Sequence, residues 1–187
     1  SNDRAWSAFQ LANRAMFMQR VQLVIQRKWP STFPDEKELS GVLKSLDYRT
    51  ADTEFPEDRY AWRPFQLAFM LLDVASVTSE ESRDRSVVDL IWFPTGGGKT
   101  EAYLGLTAMT IFYRRLRYPK ESAGTSVIMR YTLRLLAAQQ FTRASTLICA
   151  CEVIRKDCCA KNPRYPVYAL GKTPITIGLW IGGDHTP

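Results

Sequence analysis

The stretch "FPTGGGKT" at residues 93 to 100 joins a run of glycines to a lysine and a hydroxyl, directly after the apolar "VVDLIW". Such residues can hold a phosphorylated ligand. Gly96, Gly97 and Gly98 carry no Cβ, so their N–H groups can converge on phosphate oxygens, and a helix that follows presents its positive N-terminus to the same anion. Lys99 can then reach the β and γ phosphates of ATP while the Thr100 hydroxyl ligates Mg²⁺. Phe93 stands where the G-x-x-x-x-G-K-[ST] pattern places its first glycine. A flexible turn between two elements is the bland alternative, but G-G-G-K-T in that setting favours nucleotide binding.

The loop, from Pro94 and Thr95 through Thr100, resembles motif I of superfamily 2 helicases and translocases, where a bulky residue before Pro-Thr-Gly is tolerated. Other segments follow in that family's order. Upstream, "YAWRPFQLAFMLL" resembles the segment in which a glutamine reads adenine. Gln66 is the candidate, because a carboxamide both donates and accepts. Arg63 lies nearby, and Tyr60 or Trp62 could stack on the base. Gln10 sits in a second "FQLA" and is a rival, but it lies farther from the loop and follows no Arg-Pro. "MRYTLRLLAAQQ" is similar to motif Ia with one extra residue, which implies that Arg130, Thr132 and Arg134 grip a nucleic-acid backbone without reading bases. Helix capping and surface charge are the competing account. Gly182 and Gly183 in "IGLWIGGDHTP" resemble the turn of motif Ib, where a phosphate could approach the backbone; a tight strand-end turn explains them almost as well.

Within the superfamily the chain looks most like the helicase subunit of the bacterial anti-phage systems called DISARM, over roughly residues 60 to 187. The resemblance implies an ATP-dependent DNA motor with ATP and Mg²⁺ as cofactors and a partner subunit in a defence complex. An RNA motor and a nucleotide-gated assembly module that never translocates are the alternatives. The acidic D-E-x-[HD] motif that positions the attacking water is not found after the phosphate loop. The chain is therefore expected to be the first part of a longer protein and inactive by itself.

Several elements must position these residues. Phe9, Ala12, Met16 and Leu23 fall on one face of a helix over 5–28, and Asp35 can cap a short helix ending at Leu46. Pro64 suits the first turn of a helix through "FQLAFMLLDVASV", followed by the charged connector "SEESRDRS". From Val87 the pattern changes. "VVDLIWF", "TSVIMRY" and "PITIGLWIGG" read as strands separated by helices over 99–117 and 132–156, an alternation that predicts a parallel sheet. The expected fold class is thus α/β: a helical flank over 1–59, then a partial RecA-like P-loop domain over 60–187.

Composition narrows the function classes. With 187 residues, 45% hydrophobic and 24% charged, the chain suits one buried core rather than a disordered or low-complexity protein. Its apolar runs fall short of the ~20 residues that a membrane span needs, and no signal-peptide layout opens it, so a cytoplasmic, non-membrane protein is expected. A net charge of +6 suits a polyanionic partner only modestly. Cys149, Cys151, Cys158 and Cys159 lack paired C-x2-C spacing and read as reduced thiols rather than a zinc site. His185 is the single histidine, leaving little material for His-based chemistry.

Overall fold

The computed structural model describes residues 2–28, 61–94, 96–132, 134–159 and 170–180. Helix α1 spans Asn2–Lys28, α2 Pro64–Thr78, α3 Lys99–Arg117 and α4 Arg134–Cys159, with a short 3-10 turn at Arg83–Ser86 between α2 and α3. The helix expected between Asp35 and Leu46 lies outside the described residues.

Each long helix forms around an apolar stripe. In α1, Ala8, Leu11, Ala12, Ala15 and Met18 recur three or four residues apart and are buried. In α3 the same spacing buries Leu104, Ala108, Ile111 and Phe112, and in α4 it buries Leu147, Cys151 and Ile154. The stripes meet: α1 packs on both α3 and α4, and α2 packs on α3 from another side. Ala residues on α1 let its backbone approach closely, while Phe112 and Met109 of α3 fill the space between helices. Full burial of a side chain such as Phe112 is worth about 1.5–3 kcal/mol, and the helix contacts bury several such side chains. The N-terminal segment expected as a flank therefore supplies much of the core.

Residues 170–180 return to this core and are fixed at the far ends of α3 and α4. Arg115, buried in the last turn of α3, donates to the carbonyl oxygens of Leu170 at 3.3 Å, Thr173 and Pro174 at 3.1 Å. Arg155 of α4 donates to Gly171 O at 3.0 Å and makes a two-pronged pair with Glu152, whose Oε2 accepts the Ile175 N–H at 2.9 Å. Hydrogen bonds from Arg155 hold the Glu152 carboxyl below its usual range, ahead of the opposing effect of burial. Burial, and next the neighbouring Arg155 charge, lower the pKa of Arg115. The cluster anchors Leu170 and Ile175, both buried in the core.

The expected parallel sheet is not formed. Among the described residues there is no strand, and the fold is helical. The segments 87–93, 125–131 and 174–180 form no strand, and Val88 is 93%, Trp92 90%, Ile128 86% and Trp180 83% exposed. The physical reason lies in what an apolar run encodes. It favours extended backbone, but pairing and register come from contacts remote in sequence. Here the remote contacts that form are helix on helix, with α1 covering α3. The α/β class and the RecA-like sheet inferred from alternation are therefore corrected to a helical core with three unpaired apolar segments.

Of the cysteines on α4, Cys149 is exposed, Cys151 buried and Cys158 half-buried. Burial, and then Cys149, push the Cys151 thiol far above its ordinary range, which makes it inert core. No group of three His, Cys, Asp or Glu among the described residues could hold a metal ion. No helix among them is long and apolar enough to cross a membrane.

Candidate nucleotide-binding loop

The glycine-rich loop enters α3 through Gly98, which takes a left-handed conformation at φ +93° as the residue preceding Lys99. Only glycine adopts this without strain, and here a Cβ would also lie 2.7 Å from Gln66 Nε2. No side chain caps the first turn of α3. Its leading N–H groups are thus left for another acceptor, the arrangement that binds anions at a helix start.

Three side chains converge on the loop's carbonyl oxygens. Gln66 Nε2 donates to Gly98 O at 2.7 Å, Arg63 Nη1 donates to Gly97 O at 2.8 Å, and Lys99 Nζ donates to Phe93 O and to Pro94 O at 3.2 Å. The other end of Gln66 is also engaged. Its Oε1 accepts the Arg63 N–H at 2.8 Å, closing the start of α2, where Pro64 occupies the first helical position. Buried at 5% exposure, Gln66 closes the start of α2 with one end of its carboxamide and ties that helix to the loop with the other.

Phe93 gains a role from this geometry. Its ring stacks on Phe65 at a centroid distance of 4.0 Å and an angle of 15°, joining the loop's entry to α2. A Cβ on Gly97 would meet Phe93 Cδ1 at 2.8 Å and Pro94 O at 3.0 Å, so the ring in this position requires a glycine at 97. Gly97 N closes the turn onto Pro94 O at 3.2 Å. At Gly96, φ is +80° and nothing lies within 4 Å of a Cβ, so the approach to the backbone is open there.

The sequence candidates thus divide. Arg63, Gln66, Pro94, Gly96, Gly97, Gly98, Lys99 and Thr100 come together at one helix start. Trp62 does not face the loop as a stacking surface: its indole N–H bonds to Asn13 Oδ1 on α1 and its ring lies over Gly105. Gln10 is exposed on α1. Arg130 and Thr132 are exposed just before α4, which Arg134 opens. Thr95, Tyr60, Gly182 and Gly183 lie outside the described residues.

Residues that sequence reasoning missed lie beside the loop. Glu101, in the first turn of α3, forms an ion pair with Arg143 of α4. The Arg143 carbonyl accepts from the buried Gln19 of α1 at 3.0 Å. Tyr131 stands near this pair; burial first raises its hydroxyl pKa, against which the Arg143 charge acts. Glu101 could have been noted as the residue after Thr100, whereas Arg143 carries no local signal at all.

As a donor set, the uncapped helix start, the open backbone at Gly96 and the Lys99 ammonium fit a polyphosphate, and the Thr100 hydroxyl at the second position of α3 fits an accompanying Mg²⁺. No protein-family model matches the chain. Over 190 aligned residues, 99% of the chain, it is 37% identical to the DISARM protein DrmA of Bacillus paralicheniformis. The chain spans about 15% of that relative's length. Over nearly its whole length, the chain is similar to one portion of a DISARM protein.

Proposed function

We propose that this chain is the ATP-binding portion of a superfamily 2 DNA helicase or translocase acting in bacterial anti-phage defence as part of a multi-subunit complex. The observation that carries the reading is the loop: three side chains organise its carbonyls while the N–H groups at the start of α3 stay uncapped. The similarity to a DISARM protein supports the defence role.

In this reading the loop N–H groups and the start of α3 receive the phosphates, and Lys99 leaves Phe93 O and Pro94 O to neutralise the β and γ oxygens. The Thr100 hydroxyl would hold Mg²⁺, whose charge would help to neutralise the phosphates when bound. Arg63 and Gln66 keep the loop's carbonyls turned away from the anion, because their bonds hold Gly97 O and Gly98 O on the α2 side. Arg130, Thr132 and Arg134 lie at the start of α4, where backbone contacts to DNA would be indifferent to sequence and weakened by salt. Titration of the full chain with Mg–ATP tests the first step. Wild type should bind and Lys99→Ala should lose most affinity; equal affinities would reject the phosphate site.

A nucleotide-gated assembly module is the second reading. It is favoured by the exposure of Val88, Leu90, Trp92, Ile128 and Trp180, an apolar surface suited to a protein partner. Complex formation that depends on nucleotide, without movement along DNA, would select it.

A further inference from the structure

Glu101 places a carboxylate in the first turn of α3, the same helix start that the phosphate reading assigns to a polyanion. Its Oε2 lies 3.6 Å from where a Cβ on Gly98 would sit. A negative side chain there suits the helix dipole when the site is empty, but it repels any phosphate that takes the same N–H groups. Arg143 meets this carboxylate directly in an ion pair across the α3–α4 contact. The pair is only partly exposed, 29% for the Arg143 side chain and 25% for that of Glu101, so solvent screens it incompletely. Its position is fixed from behind, because Gln19, buried on α1, donates to the Arg143 carbonyl at 3.0 Å.

We infer that Arg143 is a positioning residue of the phosphate site: by holding and neutralising the Glu101 carboxylate, it removes a repulsive charge from the place where nucleotide phosphates bind. The inference rests on the nucleotide reading and adds to it a residue 42 positions from Glu101 with no motif of its own. It also gives α1 a part in the site, since α1 holds the α4 backbone that carries Arg143.

The test is the affinity of the full chain for Mg–ADP, by calorimetry, in wild type, Arg143→Gln, Glu101→Gln and the double variant, with thermal unfolding of each. Arg143→Gln should weaken Mg–ADP binding about tenfold at low salt, the loss shrinking as salt rises, because one uncompensated charge is left beside the anion. Glu101→Gln alone should bind at least as tightly as wild type, and the double variant should return to within about twofold of wild type, the signature of two coupled sites. Wild-type affinity in Arg143→Gln overturns the inference. So does a loss that Glu101→Gln fails to rescue, which would mark Arg143 as packing alone. Lys99→Ala separates the two layers: if it leaves Mg–ADP affinity unchanged, the nucleotide reading fails, whereas a normal Lys99 effect with a silent Arg143→Gln rejects this inference only.

Discussion

Gln66 Nε2 donates to the carbonyl oxygen of Gly98 at 2.7 Å, and a Cβ on Gly98 would stand the same distance from that nitrogen. The bond and the glycine are one device: the carboxamide can reach the loop only because position 98 has no side chain. Gly98→Ala should therefore combine left-handed strain with the loss of this bond, while Gly96→Ala, with open space around it, carries strain alone. We expect about 1 kcal/mol of destabilisation for Gly96→Ala and at least twice that for Gly98→Ala. Urea unfolding of the two variants checks the difference; equal losses would mean that Gln66 contributes nothing.

Gly105 is a further glycine that the packing requires. A Cβ there would lie 2.7 Å from the Trp62 ring and 2.9 Å from Met70 Sδ, where α2 and the Trp62 segment cross α3. Alanine is the better helix former by about 1 kcal/mol, yet overpacking at a filled contact costs about 1–3 kcal/mol and should win. Gly105→Ala is expected to lower the unfolding midpoint, and a rise would show that the contact can relax.

The buried Arg115 holds three backbone carbonyls of the 170–174 segment. Arg115→Met keeps the apolar stem but leaves those acceptors without a donor, at about 2–4 kcal/mol. Hydrogen exchange should then rise at residues 170–175 and leave the loop at 96–98 unaffected. Protection that persists at 170–175 would contradict the clamp.

Asp73 on α2 is pushed up to about 6 from its ordinary 3.8, by burial first and next by the negative Asp89. A carboxyl with a raised folded-state pKa contributes stability while protonated. That stability is present below the unfolded value and is lost as pH rises through about 6. Asp73→Asn should accordingly match wild type near pH 4 and exceed it by about 1–2 kcal/mol at pH 8. Denaturation midpoints across that range check the sign, and parallel curves for the two proteins would show that Asp73 titrates normally.

How much could be read in advance followed the range of the interactions. Helix α3 begins at Lys99 and ends at Arg117 as its apolar spacing and flanking glycine predict, because those signals are local. Pro64 likewise marks the start of α2. Gln66 and the loop were associated through motif order, although the carboxamide's bonds to Gly98 O and Arg63 N are visible only in three dimensions. Arg143, Gln19 and Phe65 carried no signal, since each acts through a partner distant in the chain or through ring geometry. The sheet expectation failed at the same boundary. "VVDLIWF" states that a segment is apolar and suited to extension, and says nothing of what pairs with it.

The most direct test of the account is ATP hydrolysis by the intact protein with and without DNA, comparing wild type with Lys99→Ala. The account predicts hydrolysis that DNA stimulates and that salt suppresses, with stimulation abolished by Lys99→Ala because the proposed function assigns to the ammonium, now resting on Phe93 O and Pro94 O, the contact with the phosphates. Hydrolysis that is indifferent to DNA, or that survives the loss of Lys99, would contradict it.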